Sequence, residues 1–94
     1  MATTKKDLAL KISERLGVRK QHAYEVVNTL FKAMRESLIA GNRIEIRGFG
    51  TFKVVTRASR TGRNPKTGDL VKIPERPVPV FKPSRELRSS VEGG

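Results

Sequence analysis

The first forty residues carry apolar side chains at helical spacing. Thr4 and Asp7 have the T-x-x-D spacing of a capping box, which predicts a helix start. Gly17 predicts the end of this short helix, and Gly41 predicts the end of a second helix that begins near Arg19. The apolar stripe of the first helix is Leu8, Ile12 and Leu16, and that of the second is Ala23, Val26, Val27, Leu30, Phe31, Met34 and Leu38.

The second stripe is wider than a short partner helix can cover. An apolar helix face that stays in water forgoes the free energy of burial, so such a face is expected to find a partner. We therefore expect residues 4–40 to form a helical dimerisation part, in which the uncovered face packs against a second copy of the chain.

After the second helix, apolar and polar residues alternate, which predicts β-strands. Residues 43–56 predict two strands joined by a tight turn in the segment GFG, and residues 77–82 predict a third strand. Residues 84–91 predict a short C-terminal helix with Ser84 as its N-cap. Together these elements predict one α+β domain, residues 1–94, with a helical base of two helices and a three-stranded antiparallel sheet.

Two prolines predict where the third strand lies in the sheet. Pro77 and Pro79 are two residues apart, so the N–H groups that they lack belong to the same edge of the strand. That edge cannot donate hydrogen bonds to a neighbour. We therefore expect an edge strand that is blocked against further pairing.

Residues 57–76 predict a long β-hairpin arm with little apolar surface. Basic residues recur along it, and its centre, GRNPKTGD, has the composition of a turn. A two-stranded ribbon is marginally stable in water by itself, so we expect the arm to be mobile when it is free. Pro65 places an apolar ring within this cationic turn. The proline either shapes the turn or acts as a wedge that enters a stack of base pairs.

Positive charge is the dominant feature of the composition. Twenty Lys and Arg residues oppose nine Asp and Glu residues, which gives a net charge of +11 and a pI of about 11.0. Such an excess favours a polyanionic partner, with nucleic acid as the first candidate and an anionic membrane surface as the second. Cysteine is absent, no apolar run reaches membrane-spanning length, and the first residues lack the apolar segment of a secretion signal. We therefore expect a cytoplasmic protein that does not associate with membranes.

The sequence shows no grouping of residues suited to catalysis or metal binding. His22 is the only histidine and has no carboxylate cluster around it, so we expect no catalytic residue, metal, cofactor or small-molecule substrate. Three other classes are compatible with the residues: a helix-turn-helix transcriptional regulator built on residues 12–30, a basic RNA-binding protein, and a structural dimer with incidental charge. The wide apolar face of the second helix argues against the first class, because a helix that reads DNA exposes a polar face.

Three segments resemble signatures of the bacterial HU/integration host factor family: GFGTF, RTGRNPKTGD and PVFKPSREL. The resemblance extends over nearly the whole chain in the same order, and the segment NRIEIRGFG is similar to the β chain of integration host factor. It implies an intertwined dimer, either a homodimer or a heterodimer with a paralogue, whose two arms embrace double-stranded DNA through the minor groove. The kinking of DNA by an inserted proline is a mechanism described for this family. The expected function is therefore that of an architectural, histone-like protein that bends DNA and compacts the nucleoid.

The resemblance also implies roles for particular residues. Pro65 is the expected DNA-intercalating residue. The expected dimer-core aromatic residues are Phe31, Phe49, Phe52 and Phe81. The expected DNA-binding residues are Arg43, Arg47, Arg57, Arg60, Arg63, Asn64, Pro65, Lys66, Lys72 and Arg76.

Glu45 stands between Arg43 and Arg47 on the first predicted strand. It either pairs with these arginines and holds them for DNA contact, or the three residues form a solvated face of alternating charge. The chain also departs from the family at two positions. Arg19 stands where the family commonly has a Ser or Thr cap, which predicts a loss of about 1 kcal/mol of stability. Ser84 stands where the family usually has Gly, and neither departure affects the arm.

Overall fold

The computed structural model describes residues 1–93, which form three helices and two antiparallel sheets. Strand β2 lies between β1 and β5 in a three-stranded sheet, and β3 pairs with β4 in a separate two-stranded ribbon. These elements confirm the predicted α+β fold, while Gly94 of the predicted domain lies outside the described residues. The elements are α1 (Lys5–Leu16), α2 (Lys20–Ile39), β1 (Ile44–Ile46), β2 (Gly50–Arg57), β3 (Arg60–Arg63), β4 (Leu70–Ile73), β5 (Arg76–Pro83) and α3 (Arg85–Gly93).

Helix α1 begins at the capping box that the sequence predicts. The Thr4 hydroxyl accepts a hydrogen bond from the Asp7 N–H at 3.2 Å, and the Asp7 carboxylate accepts one from the Thr4 N–H at 2.8 Å. These two bonds satisfy donors that have no partner within the helix. Gly17 ends the helix with a φ of 70°, and its N–H donates to the Ser13 carbonyl at 2.9 Å.

Helix α2 begins without a side-chain cap, as the sequence predicts. Arg19 has the extended backbone of an N-cap residue but forms no capping hydrogen bond through its side chain. The helix ends at Ile39, and the Asn42 N–H donates to the Ser37 carbonyl at 2.9 Å just beyond it. No helix in residues 1–93 is long and apolar enough to cross a membrane.

The helical base has a very small core. Among residues 1–93, the buried apolar side chains are Ala9, Ala23 and Val27, where α1 packs against α2. Other members of the α2 stripe stay in contact with water: Val26 is 47% exposed and Leu30 is 55% exposed. Helix α1 therefore covers only one side of the stripe.

An apolar cleft of about 540 Å³ separates α2 from the three-stranded sheet. The radius of gyration is 18.7 Å, with extents of 58, 32 and 29 Å. A compact domain of this length has a radius of gyration of about 12 Å. The chain therefore does not close around a single core. The apolar side chains that line the cleft are Phe31, Met34, Leu38 and Ile39 of α2, and Phe52, Val54, Pro77 and Pro79 of the sheet.

Three phenylalanines cluster on the sheet side of the molecule. The ring centroids of Phe52 and Phe81 are 4.6 Å apart, and Phe49 lies 5.5 Å from Phe81. Gly50 permits this packing, because a Cβ atom there would lie 2.6 Å from the Phe81 ring and 2.5 Å from the Lys82 carbonyl oxygen. Phe49 and Phe81 remain 43% and 40% exposed, so one chain does not enclose the cluster.

Strand β5 lies at the edge of the sheet, as Pro77 and Pro79 predict, and it pairs with β2 alone. At its end, Ser84 caps α3 as expected, and its hydroxyl accepts a hydrogen bond from the Leu87 N–H at 3.1 Å. The Ser84 N–H donates to the Phe49 carbonyl at 2.8 Å. This bond fixes the start of α3 to the turn between β1 and β2.

Arg19→Ser is predicted to raise the free energy of unfolding by about 1 kcal/mol. Position 19 already has the backbone conformation of an N-cap residue, and a Ser hydroxyl would accept an unpaired N–H of the first turn of α2. Urea unfolding at a fixed protein concentration measures the change. Arg19→Ala is the matched control, because it removes the same charge without supplying an acceptor. Equal stabilities of the two variants would contradict the prediction.

The capping box of α1 predicts a dependence of stability on pH. The hydrogen bond from the Thr4 N–H, and then that from the Thr4 hydroxyl, lowers the pKa of Asp7 below its ordinary value of 3.8. The ionised carboxylate therefore stabilises the folded state above that value, and this contribution is lost as the pH falls through the lower pKa of the folded state. Asp7→Asn should unfold at a lower temperature than the parent near neutral pH. The difference should disappear in strong acid, and a difference that stays constant with pH would refute this assignment.

Candidate nucleic-acid interface

The basic arm is a ribbon that is separate from the main sheet. Strands β3 and β4 pair from Arg60 opposite Ile73 to Arg63 opposite Leu70. Two short breaks, at residues 58–59 and 74–75, separate the ribbon from strands β2 and β5 of the main sheet. Pro74 has no N–H to donate, which prevents regular pairing at that position. The hairpin predicted over residues 57–76 is continuous, so the prediction misses this interruption.

The ribbon does not bury its apolar side chains. Leu70 is 69% exposed and Val71 is 46% exposed. The basic side chains of the arm are exposed as well, so both faces of the ribbon are accessible to a partner. These exposed basic residues are Arg57, Arg60, Arg63, Lys66, Lys72 and Arg76.

The tip of the ribbon, residues 64–69, is closed by its own hydrogen bonds. The Asn64 N–H donates to the Asp69 carbonyl at 2.8 Å, and the Gly68 N–H donates to the Asn64 carbonyl at 2.7 Å. Gly68 has a φ of 76°, a left-handed conformation that residues with a Cβ atom rarely adopt. Pro65 lies within this loop and is exposed.

Two side chains of the tip accept hydrogen bonds from backbone N–H groups. The Asn64 side-chain oxygen Oδ1 accepts a hydrogen bond from the Lys66 N–H at 2.9 Å, and the Thr67 hydroxyl accepts one from the Asp69 N–H at 3.2 Å. Arg63 Nη1 donates to the Gly68 carbonyl at 3.2 Å. Arg63 keeps further donors on its guanidinium, and Asn64 keeps its NH₂ group.

A second cationic surface covers the face of the three-stranded sheet that is turned away from the cleft. The strand register places Glu45, Thr51 and Lys82 side by side on this face. Arg57 stands opposite Arg76 where the sheet leads into the arm. Like charges directly opposite each other repel, so this pair favours an anion between or above the two side chains.

Lys53 and Lys82 belong to this cationic face and are absent from the set of residues predicted from the sequence. Lys53 follows Phe52 and Lys82 follows Phe81, and both phenylalanines lie on the apolar face. Successive side chains of a strand point to opposite faces, so this alternation was a signal in the sequence that could have identified both lysines.

Arg43 and Glu45 form an ion pair, with 2.9 Å between Arg43 Nη2 and Glu45 Oε1. Both side chains are more than 60% exposed, and such a pair stabilises a fold by less than about 1 kcal/mol. Arg47 lies in the turn between β1 and β2 and takes part in no ion pair within residues 1–93. The structure therefore brings Glu45 to Arg43 and not to Arg47.

Of the four aromatic residues predicted for a dimer core, two line the open cleft, and the other two pack against one of these. Phe31 and Phe52 line the cleft from its two sides. Phe49 and Phe81 join Phe52 in the aromatic cluster of the sheet. Metal binding is a separate question. Within residues 1–93, no three or more His, Cys, Asp or Glu side chains form a group that could hold a metal ion.

Comparisons of the sequence and of the fold with known proteins point to the same family. The chain matches the family model described as bacterial DNA-binding protein over residues 3–92. It is 47% identical over 91 residues to integration host factor subunit beta of Herminiimonas arsenicoxydans, which covers 95% of this chain and 89% of the relative. It is 39% identical over 94 residues to integration host factor subunit alpha of Colwellia psychrerythraea, which covers 100% of this chain and 97% of that subunit.

A solved structure with the same fold is that of Anabaena HU in a cocrystal with DNA. The TM-score is 0.88 at 30% sequence identity, over 98% of this chain and 100% of the other. The resemblance carried by GFGTF and RTGRNPKTGD is thereby confirmed. Proteins of this kind are structural DNA-binding proteins and not enzymes. The chain belongs to the HU/integration host factor family of bacterial DNA-binding proteins.

Proposed function

We propose that this protein is a dimeric architectural protein that grips duplex DNA with two β-arms and bends it. The observation that carries the proposal is the exposed cationic ribbon, residues 60–73, with the exposed Pro65 in its tip. A ribbon that buried its residues against its own domain would be unable to act in this way. The similarity to an HU protein solved with DNA supports a duplex as the partner.

The dimer is supported by the apolar surface that one chain leaves open. The proposed second chain fills the cleft between Phe31 and Phe52 and covers the exposed parts of Phe49 and Phe81. Two chains that complete each other's cores in this way are intertwined. The similarity to relatives named as alpha and beta subunits supports association with either a second copy or a paralogue.

The arms are proposed to bind through the minor groove. Every base pair presents hydrogen-bond acceptors there, so donors are the useful groups. The Asn64 side-chain oxygen accepts the backbone N–H of Lys66, which leaves the Asn64 NH₂ group available. Arg63 has further N–H donors besides the one that bonds the Gly68 carbonyl. Arg57 and its cationic neighbours along the arm and sheet are proposed to neutralise phosphates, contacts that position the protein without reading sequence.

Pro65 is proposed to enter the base stack at a kink. Separating a base step costs a few kcal/mol, and the bent duplex offsets this cost by contacting more protein surface. The cationic face with Lys53 and Lys82 would meet the DNA as it curves toward the body. Many such bends along a chromosome would compact the nucleoid, and we propose that the protein acts there, in the bacterial cytoplasm.

The alternative of a helix-turn-helix regulator is less well supported by the packing of α2. Ala23 and Val27 are buried against α1, and Phe31 lines the cleft. The apolar side of this helix therefore packs against α1 and lines the cleft, while the arm presents six exposed basic side chains. The alternative of an RNA-binding protein is tested by competition between duplex DNA and structured RNA. A higher affinity for the RNA would favour that alternative.

Binding is predicted to weaken steeply with salt, because affinity arises mainly from phosphate neutralisation. With about six to ten phosphate contacts, the association constant should fall about 10³–10⁵-fold between 50 and 200 mM salt. Titration of a labelled random-sequence duplex by fluorescence anisotropy measures this slope. An affinity that stays nearly constant over this range would count against the proposed interface.

Pro65→Ala is predicted to reduce the DNA bend angle more than the affinity at low salt, because the wedge is lost while every charge remains. Energy transfer between dyes at the two duplex ends reports the bend. Lys66→Gln is the control from the same loop: it should preserve the bend and reduce the salt slope by about one for each arm. A bend unchanged by Pro65→Ala would show that the proline is no wedge.

A further inference from the structure

We infer that Asn64 and Thr67 are positioning residues for Pro65, and that their side chains brace the tip before DNA is bound. The inference rests on the proposed role of Pro65 as a wedge. Both residues belong to the tip, residues 64–69, and each holds a backbone N–H through a side-chain oxygen. Neither bond involves the rest of the protein, so the brace is local.

Asn64 braces the residues that flank the proline. Its Oδ1 accepts the Lys66 N–H at 2.9 Å, which closes a turn around Pro65. The proline ring already fixes its own φ angle. With the residues before and after it joined by this bond, the direction of the ring is set by the turn.

Thr67 braces the return side of the loop. Its hydroxyl accepts the Asp69 N–H at 3.2 Å, next to the left-handed Gly68. The backbone bond from the Asn64 N–H to the Asp69 carbonyl at 2.8 Å then joins the two sides. Thr67 therefore acts on Pro65 through Asp69 and Asn64, without being a predicted DNA contact itself.

Arg63 ties the braced tip to the ribbon below it. Its Nη1 donates to the Gly68 carbonyl at 3.2 Å, which joins the last residue of β3 to the loop. The tip is thus held by backbone bonds and by three side chains. A wedge that is already ordered loses less conformational entropy on entering DNA than a wedge on a loose loop.

The test compares Thr67→Val with Thr67→Ser. Valine keeps the shape of threonine and the charge of the arm but removes the hydroxyl, whereas serine retains the acceptor. Amide hydrogen exchange in the free protein reports the brace directly. We expect the Asp69 N–H to exchange about fivefold faster in Thr67→Val, the factor that corresponds to one net hydrogen bond, and at the parent rate in Thr67→Ser.

The second readout is DNA bending by the same variants. Thr67→Val should lower the energy-transfer signal toward that of Pro65→Ala, with an unchanged salt slope because no phosphate contact is lost. Thr67→Ser should restore the bend of the parent. Asn64→Ala and Asn64→Asp form a second pair for the exchange of the Lys66 N–H in the free protein, because Asp keeps the Oδ acceptor.

Unchanged exchange of Asp69 in Thr67→Val would overturn the brace. Faster exchange with a bend equal to that of the parent would overturn the positioning role. A failure of the wedge itself has a different signature, namely an unchanged bend for Pro65→Ala. In that case the exchange rates of the free protein still decide whether the brace exists.

Discussion

The burial of apolar surface is the constraint on which the rest of this structure depends, because the chain presents more of it than it can cover alone. Ala9, Ala23 and Val27 are its buried apolar side chains within residues 1–93, and the cleft between Phe31 and Phe52 stays open. Hydrophobic burial is the main favourable term in folding, so a chain with so small a core has little stability of its own. In the proposed dimer, a second chain in the cleft would supply what is missing and bring two arms together in one molecule.

The arm obeys the opposite constraint. It carries little apolar surface, so burying it would contribute little to folding, and its basic side chains remain in water. Leu70 and Val71 are exposed rather than packed, which keeps the ribbon accessible at the cost of its own stability. The proposed wedge needs order only in the loop around Pro65, where the side chains of Asn64 and Thr67 form local hydrogen bonds.

Most of the fold could be predicted from the sequence because its signals are local. The capping box of Thr4, the absent cap at Arg19 and the edge strand marked by Pro77 depend on residues near one another in the chain. The break in the ladder beside Pro74 also has a local signal, the N–H that this proline lacks, but the predicted hairpin does not take it into account. The pairing of Glu45 with Arg43 rather than with Arg47 could not be predicted, because it depends on the turn geometry that places Arg47 outside β1.

The requirement for a second chain is tested most directly by the mass of the folded species. Sedimentation equilibrium, combined with thermal unfolding over a wide range of protein concentrations, measures both mass and stability. We predict that the folded species has at least twice the 10.5 kDa mass of one chain, and that its unfolding temperature rises with concentration. Cooperative unfolding of a 10.5 kDa species at a temperature independent of concentration would contradict the dimer and the two-armed grip built on it.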